Sequence, residues 1–444
     1  MQHLTPSVLR DITGGESAGE LPAGEVTAIV TDSRAVKPGC LFAAIAGARA
    51  DGHDYIASAA EQGALCALGE RFVKADIPQT KVPDTQAALR AIAAFYRSLF
   101  SIPFVGVTGS VGKTTAKEMI WAVLSTRLRT LKTEKNFNNE LGVPLTLFRL
   151  RKEHEAAVVE MGISAFGEMT RLADMVHPGI AVFTTIGDAH LEFLKDRAGV
   201  LRAKTELLAA MPEDGIVIAN GDDPLLREFS FGRRTLLFGM GEGCHIRATE
   251  VRAGETGMEF TLLAGDRKIP VHVPAFGQYM VYAALMGAAV GLELGLTDGE
   301  IAAGIAAYET VGSRGRLLRG NGITVLDDCY NANPTSCRAA LESLAALAGR
   351  PVAILGGMLE LGEKAPALHR ALGEYAAELG VSVIACGELS RNTAEGAGCM
   401  GCWFPDMEAL LAALPELIMP GDSVLVKASH AMNFEAVVKA LTSC

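Results

Sequence analysis

Residues 106–115, GVTGSVGKTT, constrain this chain more than any other stretch. They follow an apolar run at 104–107 that reads as a strand, and they lead into a segment of helical periodicity beginning near Lys113. A glycine-rich turn between a buried strand and a helix N-terminus is suited to holding an anion. Gly109 and Gly112 let backbone N–H groups come close to a phosphate, and the helix terminus favours negative charge there. Lys113 can then reach the β- and γ-phosphates, Thr114 can hold Mg²⁺, and Ser110, Val111 and Thr115 complete the lining. A strict Walker A motif has glycine six residues before its lysine, where this chain has Val107, so the motif is a variant. A plain glycine turn would also join a strand to a helix, but the coincidence of strand, GKTT and helix argues for a nucleoside triphosphate.

The surrounding pattern supplies the sheet such a loop needs. Apolar runs at 104–107, 156–161, 180–185 and 215–219 alternate with helical segments, as in a parallel sheet covered by helices. Residues 246–273 break that rhythm with glycine-rich turns and alternating residues, which predicts an antiparallel patch. After a helix pair and the run GSRGR at 312–316, a second alternation places strands at 323–326, 352–355, 381–385 and 423–426. Residues 1–100 read as short strands and turns with a few helices, the last over 85–100. The 444 residues suffice for about three domains, predicted at 1–100, 101–312 and 313–444. The expected fold class is α/β: a central P-loop ATPase with a mainly parallel sheet, a C-terminal Rossmann-like domain and a smaller mixed α/β N-terminal domain.

Composition narrows the partners. A formal net charge of -11 argues against general affinity for nucleic acid or anionic lipid. The first ten residues lack a charged-then-apolar signal pattern, and the longest apolar stretch, 283–292, is far short of the ~18 residues of a membrane span. A soluble cytoplasmic protein is expected, and the nine scattered cysteines fit reduced thiols. Cys399 and Cys402 have CxxC spacing, but with no second pair and no nearby histidine they read as loop cysteines.

Several polar residues fall where open parallel sheets gather ligands. Glu160 ends the strand at 156–161 and His190 follows the one at 180–185, so both can complete a Mg²⁺ site, although a strand-end charge and a satisfied loop histidine are the plainer alternatives. Asn136, Asn138 and Asn139 offer uncharged donors and acceptors to a substrate or form a solvated turn. Asp328, Tyr330, Asn331 and Asn333 lie between a strand and a helix, where they can bind ligand or simply cap that helix.

At this point the chain resembles the Mur ligases, ATP-dependent amide-bond enzymes of peptidoglycan precursor synthesis. The resemblance spans essentially the whole chain. It is carried by TDSR (31–34), DGH (51–53), the variant P-loop, NFNNELGVPLTL (136–147), EMG (160–162), DAHLE (188–192), AKTE (203–206), DDCYNANPTS (327–336), GGMLELGE (356–363) and VLVKAS (424–429). YNANP and MLELGE point to the branch that joins D-alanyl-D-alanine to UDP-N-acetylmuramoyl-tripeptide. A monomer is expected, and the resemblance implies an N-terminal domain holding the UDP group, a central ATPase and a C-terminal domain that closes over the site. It implies that Ser33 and Arg34 lie near the uridine end, that Thr114, Glu160 and His190 bind Mg²⁺, and that Lys204 is carbamylated; without it Lys204 would pass as a surface residue on a helix. Lys113, Lys204, His190 and Arg314 become the catalytic set, with Arg316 two residues beyond Arg314 in the same run. Asp328, Tyr330 and Asn331 join the ATP site, and Asn333, Lys427 and Ser429 join Asn136, Asn138 and Asn139 on the substrate side.

The chain also departs from the family pattern. Met280 and Ala283 stand where amides are usual, Gly357 where Asp, Thr185 where Asn and His430 where Arg is usual. Ala283 is therefore expected to cost the nucleotide or its metal one polar contact, unless Gln278 or Tyr279 supplies it. Two rival readings are a folylpolyglutamate-type or other amide ligase, and a weakened nucleotide-binding scaffold motivated by those two lost amides.

Overall fold

The computed structural model describes residues 1–47 and 50–442. Its strands form three sheets. The N-terminal sheet contains β1 (Glu16–Ala18), β2 (Ile29–Val30), β3 (Leu41–Ala43), β4 (Cys66–Gly69) and β5 (Gln79–Lys81), in the order β1-β5-β4-β3-β2. Only the β1–β5 pair is antiparallel.

The central sheet has nine strands: β6 (Phe104–Thr108), β7 (Thr130–Lys132), β8 (Ala156–Glu160), β9 (Ile180–Phe183), β10 (Ile216–Asn220), β11 (Arg234–Gly239), β12 (Ile246–Ala253), β13 (Met258–Ala264) and β14 (Arg267–Val273). Their order is β14-β13-β12-β11-β10-β9-β6-β8-β7. Strands β6 to β12 pair in parallel, and β12, β13 and β14 form the antiparallel patch read from the sequence. The P-loop strand β6 is buried along its whole length, which is why its sequence is a continuous apolar run rather than an alternation.

The third sheet comprises β15 (Arg316–Gly320), β16 (Ile323–Asp327), β17 (Arg350–Leu355), β18 (Ser382–Cys386), β19 (Gly401–Phe404) and β20 (Asp422–Lys427), ordered β15-β16-β20-β17-β18-β19. All its pairs are parallel except β15–β16. One apolar cluster runs from Leu4 through Phe104 and Met161 to Leu341 and Leu425, so the three sheets share a continuous core.

Some expectations need correction. Cys402 lies on β19 and Cys399 in the helical turn Gly398–Met400, so the CxxC pair is not a loop; the eight described cysteines are all free. The strand expected over 180–185 stops at Phe183. Beyond it Thr184 N–H still donates to Thr108 O (2.9 Å), while the hydroxyls take other partners: Thr184 Oγ1 donates to Val111 O (2.5 Å) and Thr185 Oγ1 to Asp223 (2.9 Å). No helix among the described residues is long and apolar enough to cross a membrane.

Candidate active site

The P-loop is held from behind by the end of β9. Ser110 N–H donates to Thr185 O (2.8 Å), and Gly187 N–H donates to Ser110 Oγ (2.9 Å). Gly109 has φ +148°, and a Cβ there would lie 1.9 Å from Thr184 Oγ1, so the threonine occupies the space a side chain would need. The helix Lys113–Leu124 then starts at Gly112, directing its first N–H groups at the loop. Lys113 Nζ donates to Gly109 O (2.9 Å) across the mouth of that loop. Burial lowers the Lys113 pKa, Glu160 opposes the shift and the charge of Arg314 adds to it.

Glu160 is the last residue of β8 and is 1% exposed. Its carboxylate accepts from Thr114 Oγ1 at 2.8 and 3.0 Å and from Asn138 Nδ2 at 2.8 Å, and its own N–H donates to Thr133 Oγ1 at 3.0 Å. The Lys117 ammonium sits 4.0 Å from Glu160, donates to Thr133 O (2.8 Å) and pairs with Glu118 (2.8 Å). A threonine hydroxyl in contact with a buried carboxylate is the hard oxygen donor set that Mg²⁺ takes, so these residues fit the ion. Of the three asparagines, Asn138 alone reaches this network. Asn139 Oδ1 accepts from Leu141 and Gly142 N–H, and Asn136 is exposed.

His190 has φ +54° and begins the short helix Leu191–Leu194. Burial lowers its pKa; Glu360, 2.6 Å from Nδ1, opposes that shift, while Lys113 and Lys204 add to it. Lys204 corrects the sequence reading outright. It lies on the helix Arg197–Thr205 but is 1% exposed, and it makes no hydrogen bond or ion pair among the described residues. Burial, and then the charge of Lys113, hold its pKa well below the usual lysine value. A helical periodicity showed the element but not which face would be covered.

The C-terminal sheet brings a second group of residues to this edge. The Arg314 guanidinium stacks 3.7 Å from the Tyr330 ring, whose other neighbour is the His430 ring at 5.3 Å. Arg316 is exposed on β15, which separates the two arginines of GSRGR. Gly187 meets Thr335 so closely that a Cβ would lie 2.4 Å from its Oγ1. Lys427 is 2% exposed and its ammonium is held by Asp328 Oδ2 (2.5 Å), Asn331 O (2.9 Å) and Asp328 O (3.4 Å). Burial pushes the Asp328 carboxyl up and Lys427 pulls it back. Asn333 Oδ1 caps the helix Pro334–Ala345 by accepting from Ser336 N–H (2.8 Å), and Ser429 Oγ accepts from Leu359 N–H (3.1 Å). Lys427, Asn333 and Ser429 thus shape the loops beside the crevice with the groups expected to face substrate.

Ser33 and Arg34 sit apart, in a turn after β2, where Arg34 is exposed and paired with Asp32 (2.7 Å). Met280 and Ala283, each 1% exposed, are packed in the apolar core between the helix Gln278–Glu293 and the central sheet. Gln278 and Tyr279, expected to offer a polar contact in place of Ala283, begin that helix. Gln278 Nε2 points to Met240 Sδ (3.5 Å), and Tyr279 is half-buried against the Gly315 turn. The polar link at this helix is instead Tyr282, whose hydroxyl donates to Asp222 (2.9 Å), a carboxylate that also accepts from Met240 and Gly241 N–H. Tyr282 gave no signal because its partner lies 60 residues away.

The chain is similar to known proteins over nearly its whole length. Models described as Mur ligase family, catalytic domain; Mur ligase middle domain; and Mur ligase, glutamate ligase domain match residues 25–97, 107–291 and 313–430. The UDP-N-acetylmuramoyl-tripeptide--D-alanyl-D-alanine ligase of Escherichia coli (strain K12) is 37% identical, with 99% of each chain covered. A crystal structure of MurF from Acinetobacter baumannii superposes with a TM-score of 0.93 at 33% identity, covering 99% of this chain and 98% of that one. MurF ligase from Thermotoga maritima, solved in complex with ADP, gives a TM-score of 0.84 at 31% identity, covering 93% of this chain and 96% of that one.

Proposed function

This chain belongs to the Mur ligase family, and from that premise we propose that it joins D-alanyl-D-alanine to UDP-N-acetylmuramoyl-tripeptide with ATP, in peptidoglycan precursor synthesis. The observation that carries the reading is the P-loop with Thr114 and Asn138 gathered on the buried Glu160, in a chain alike over its full length to relatives of that activity. That full-length likeness favours it over another amide ligase.

The residues divide the work as follows. The peptide carboxylate attacks the γ-phosphorus of ATP, ADP leaves, and an acyl phosphate remains; the dipeptide amine then attacks the acyl carbon and phosphate departs. Gly109, Ser110, Val111, Gly112, Thr114 and Thr115 hold the phosphates, with Lys113 and Arg314 offsetting the charge that builds on them. Thr114, Glu160, His190 and Lys204 would hold Mg²⁺, which supplies further charge neutralisation when bound. Lys204 is suited to carbamylation because its lowered pKa favours the neutral amine, which adds CO₂ and releases one proton to give a carbamate. Asp328, Tyr330 and Asn331 complete the nucleotide side. Ser33 and Arg34 take the uridine end, and Asn136, Asn138, Asn139, Asn333, Lys427 and Ser429 the peptide side, under a domain division of 1–100, 101–312 and 313–444. We assign the protein to the cytoplasm as a monomer, a location its free cysteines suit.

The test is incubation with ATP, UDP-linked tripeptide and D-Ala-D-Ala, following ADP and the UDP-linked pentapeptide by mass spectrometry. ADP release should require the tripeptide, because the acyl phosphate needs its carboxylate. Equal ADP release without it, or no pentapeptide, would sink the assignment and favour a weakened nucleotide-binding scaffold.

A further inference from the structure

Glu360 lies in the turn of the C-terminal domain that rests on the His190 segment. Its Oε2 is 2.6 Å from His190 Nδ1, a buried nitrogen that has no well-angled hydrogen-bond partner among the described residues. Both residues have left-handed backbone, φ +54° at His190 and +62° at Glu360, a conformation that is costly for a non-glycine residue and persists only where the surroundings impose it.

Those surroundings are visible. On its own domain the turn is fixed by Met358 N–H donating to His369 Nε2 (2.9 Å) and by Leu359 N–H donating to Ser429 Oγ (3.1 Å). Across the interface, Glu192 N–H points to Glu360 O (3.5 Å) and Lys364 Nζ to Lys195 O (3.5 Å). The carboxylate is therefore carried by one domain and delivered to an imidazole of another, although its side chain is 52% exposed and gains little from burial.

We propose that Glu360 is a positioning residue: seating of the C-terminal domain sets its carboxylate on the Nδ1 side of His190, which leaves Nε2 as the nitrogen carrying the free lone pair. A carboxylate on one ring nitrogen fixes the tautomer and raises the ligand strength of the other. Domain seating and metal retention are then one event. The inference rests on the reading of His190 as a metal ligand.

The experiment titrates Mn²⁺ into the full chain with a non-hydrolysable ATP analogue and UDP-linked tripeptide, reading free Mn²⁺ by electron paramagnetic resonance. Loss of such an outer partner weakens metal affinity by about 10–100-fold. Glu360→Ala should show that loss and a lower kcat, while Glu360→Gln, which keeps size and an acceptor oxygen, should recover part of both. Glu363→Ala, in the same turn, should match the unaltered protein. If His190→Ala weakens Mn²⁺ and both Glu360 variants bind it normally, the proposal is overturned while the metal reading stands. If His190→Ala also binds normally, the metal reading falls and takes the proposal with it.

Discussion

Replacing Lys204 by methionine should make the protein more stable and catalytically dead. The Lys204 side chain is 1% exposed and burial holds its pKa well below the usual lysine value, and withdrawing such a polar group from most of its water costs about 1–3 kcal/mol. Methionine keeps a long unbranched stem of similar volume and removes that penalty. At about 2–4 °C per kcal/mol for a domain of this size, the melting midpoint should rise by roughly 2–12 °C. Lys204→Ala gains the same relief but opens a cavity worth about 2–5 kcal/mol, so its midpoint should fall below that of the methionine variant by a comparable amount. Both variants should lose orders of magnitude in turnover, since neither can form a carbamate. Calorimetry paired with ADP release checks both halves. A Lys204→Met midpoint below that of the unaltered protein would show that the amine has a native partner, and near-normal turnover would remove Lys204 from the chemistry.

Gly109→Ala should weaken nucleotide binding by at least tenfold, because a Cβ 1.9 Å from Thr184 Oγ1 must displace the hydroxyl that holds Val111 O; isothermal titration with ADP measures it, and unchanged affinity would refute the packing argument. Arg314→Ala should cut kcat by roughly 100-fold or more through lost charge at the phosphates while Arg316→Ala stays near normal, and steady-state rates for the pair decide whether the stacked arginine is the active one. Burial lowers the pKa of His369, so the unfolded chain, with a histidine pKa of about 6.5, binds more protons in the window between the two values. Its contribution to stability is complete above about pH 6.5 and is lost as pH falls toward the folded value, so the midpoint should drop more steeply from pH 7.5 to 5.5 than in His369→Gln; equal slopes would exclude it.

Local chemistry was legible in the sequence, and distant pairing was not. The strand, glycine turn and helix of residues 104–124 are encoded by neighbouring residues, as is the alternation that announces two largely parallel sheets. The short strands β7, β11, β15 and β19 went unread, since Thr130–Lys132 or Arg316–Gly320 carry charges or turn residues and become strands only by pairing with neighbours already in place. Asn138 looked like a turn amide because its partner Glu160 is 22 residues on. Glu360 was visible only as part of a motif, since its contact with His190 forms between two sheets.

The charge arrangement behind the P-loop explains how the chain can hold Glu160 buried before any cation arrives. A buried carboxylate without compensation would destabilise the fold severely. Here the Lys117 ammonium stands 4.0 Å away, and two hydroxyl or amide donors sit on the carboxylate itself. Lys117 would in turn leave an excess positive charge, but Glu118 pairs with it and also with Lys132, which stacks 3.4 Å over Trp121. Two lysines and two glutamates balance, and all four are fixed to the helix Lys113–Leu124 or to strands beside it. The balance favours a preformed site: Glu160 is already oriented by Thr114 and Asn138, so a cation entering from the crevice meets a fixed donor pair and pays little reorganisation. Lys113 and Lys204, on the crevice side, make no ion pair with a carboxylate among the described residues, and burial lowers the pKa of both, which suits a site waiting for phosphate and carbamate.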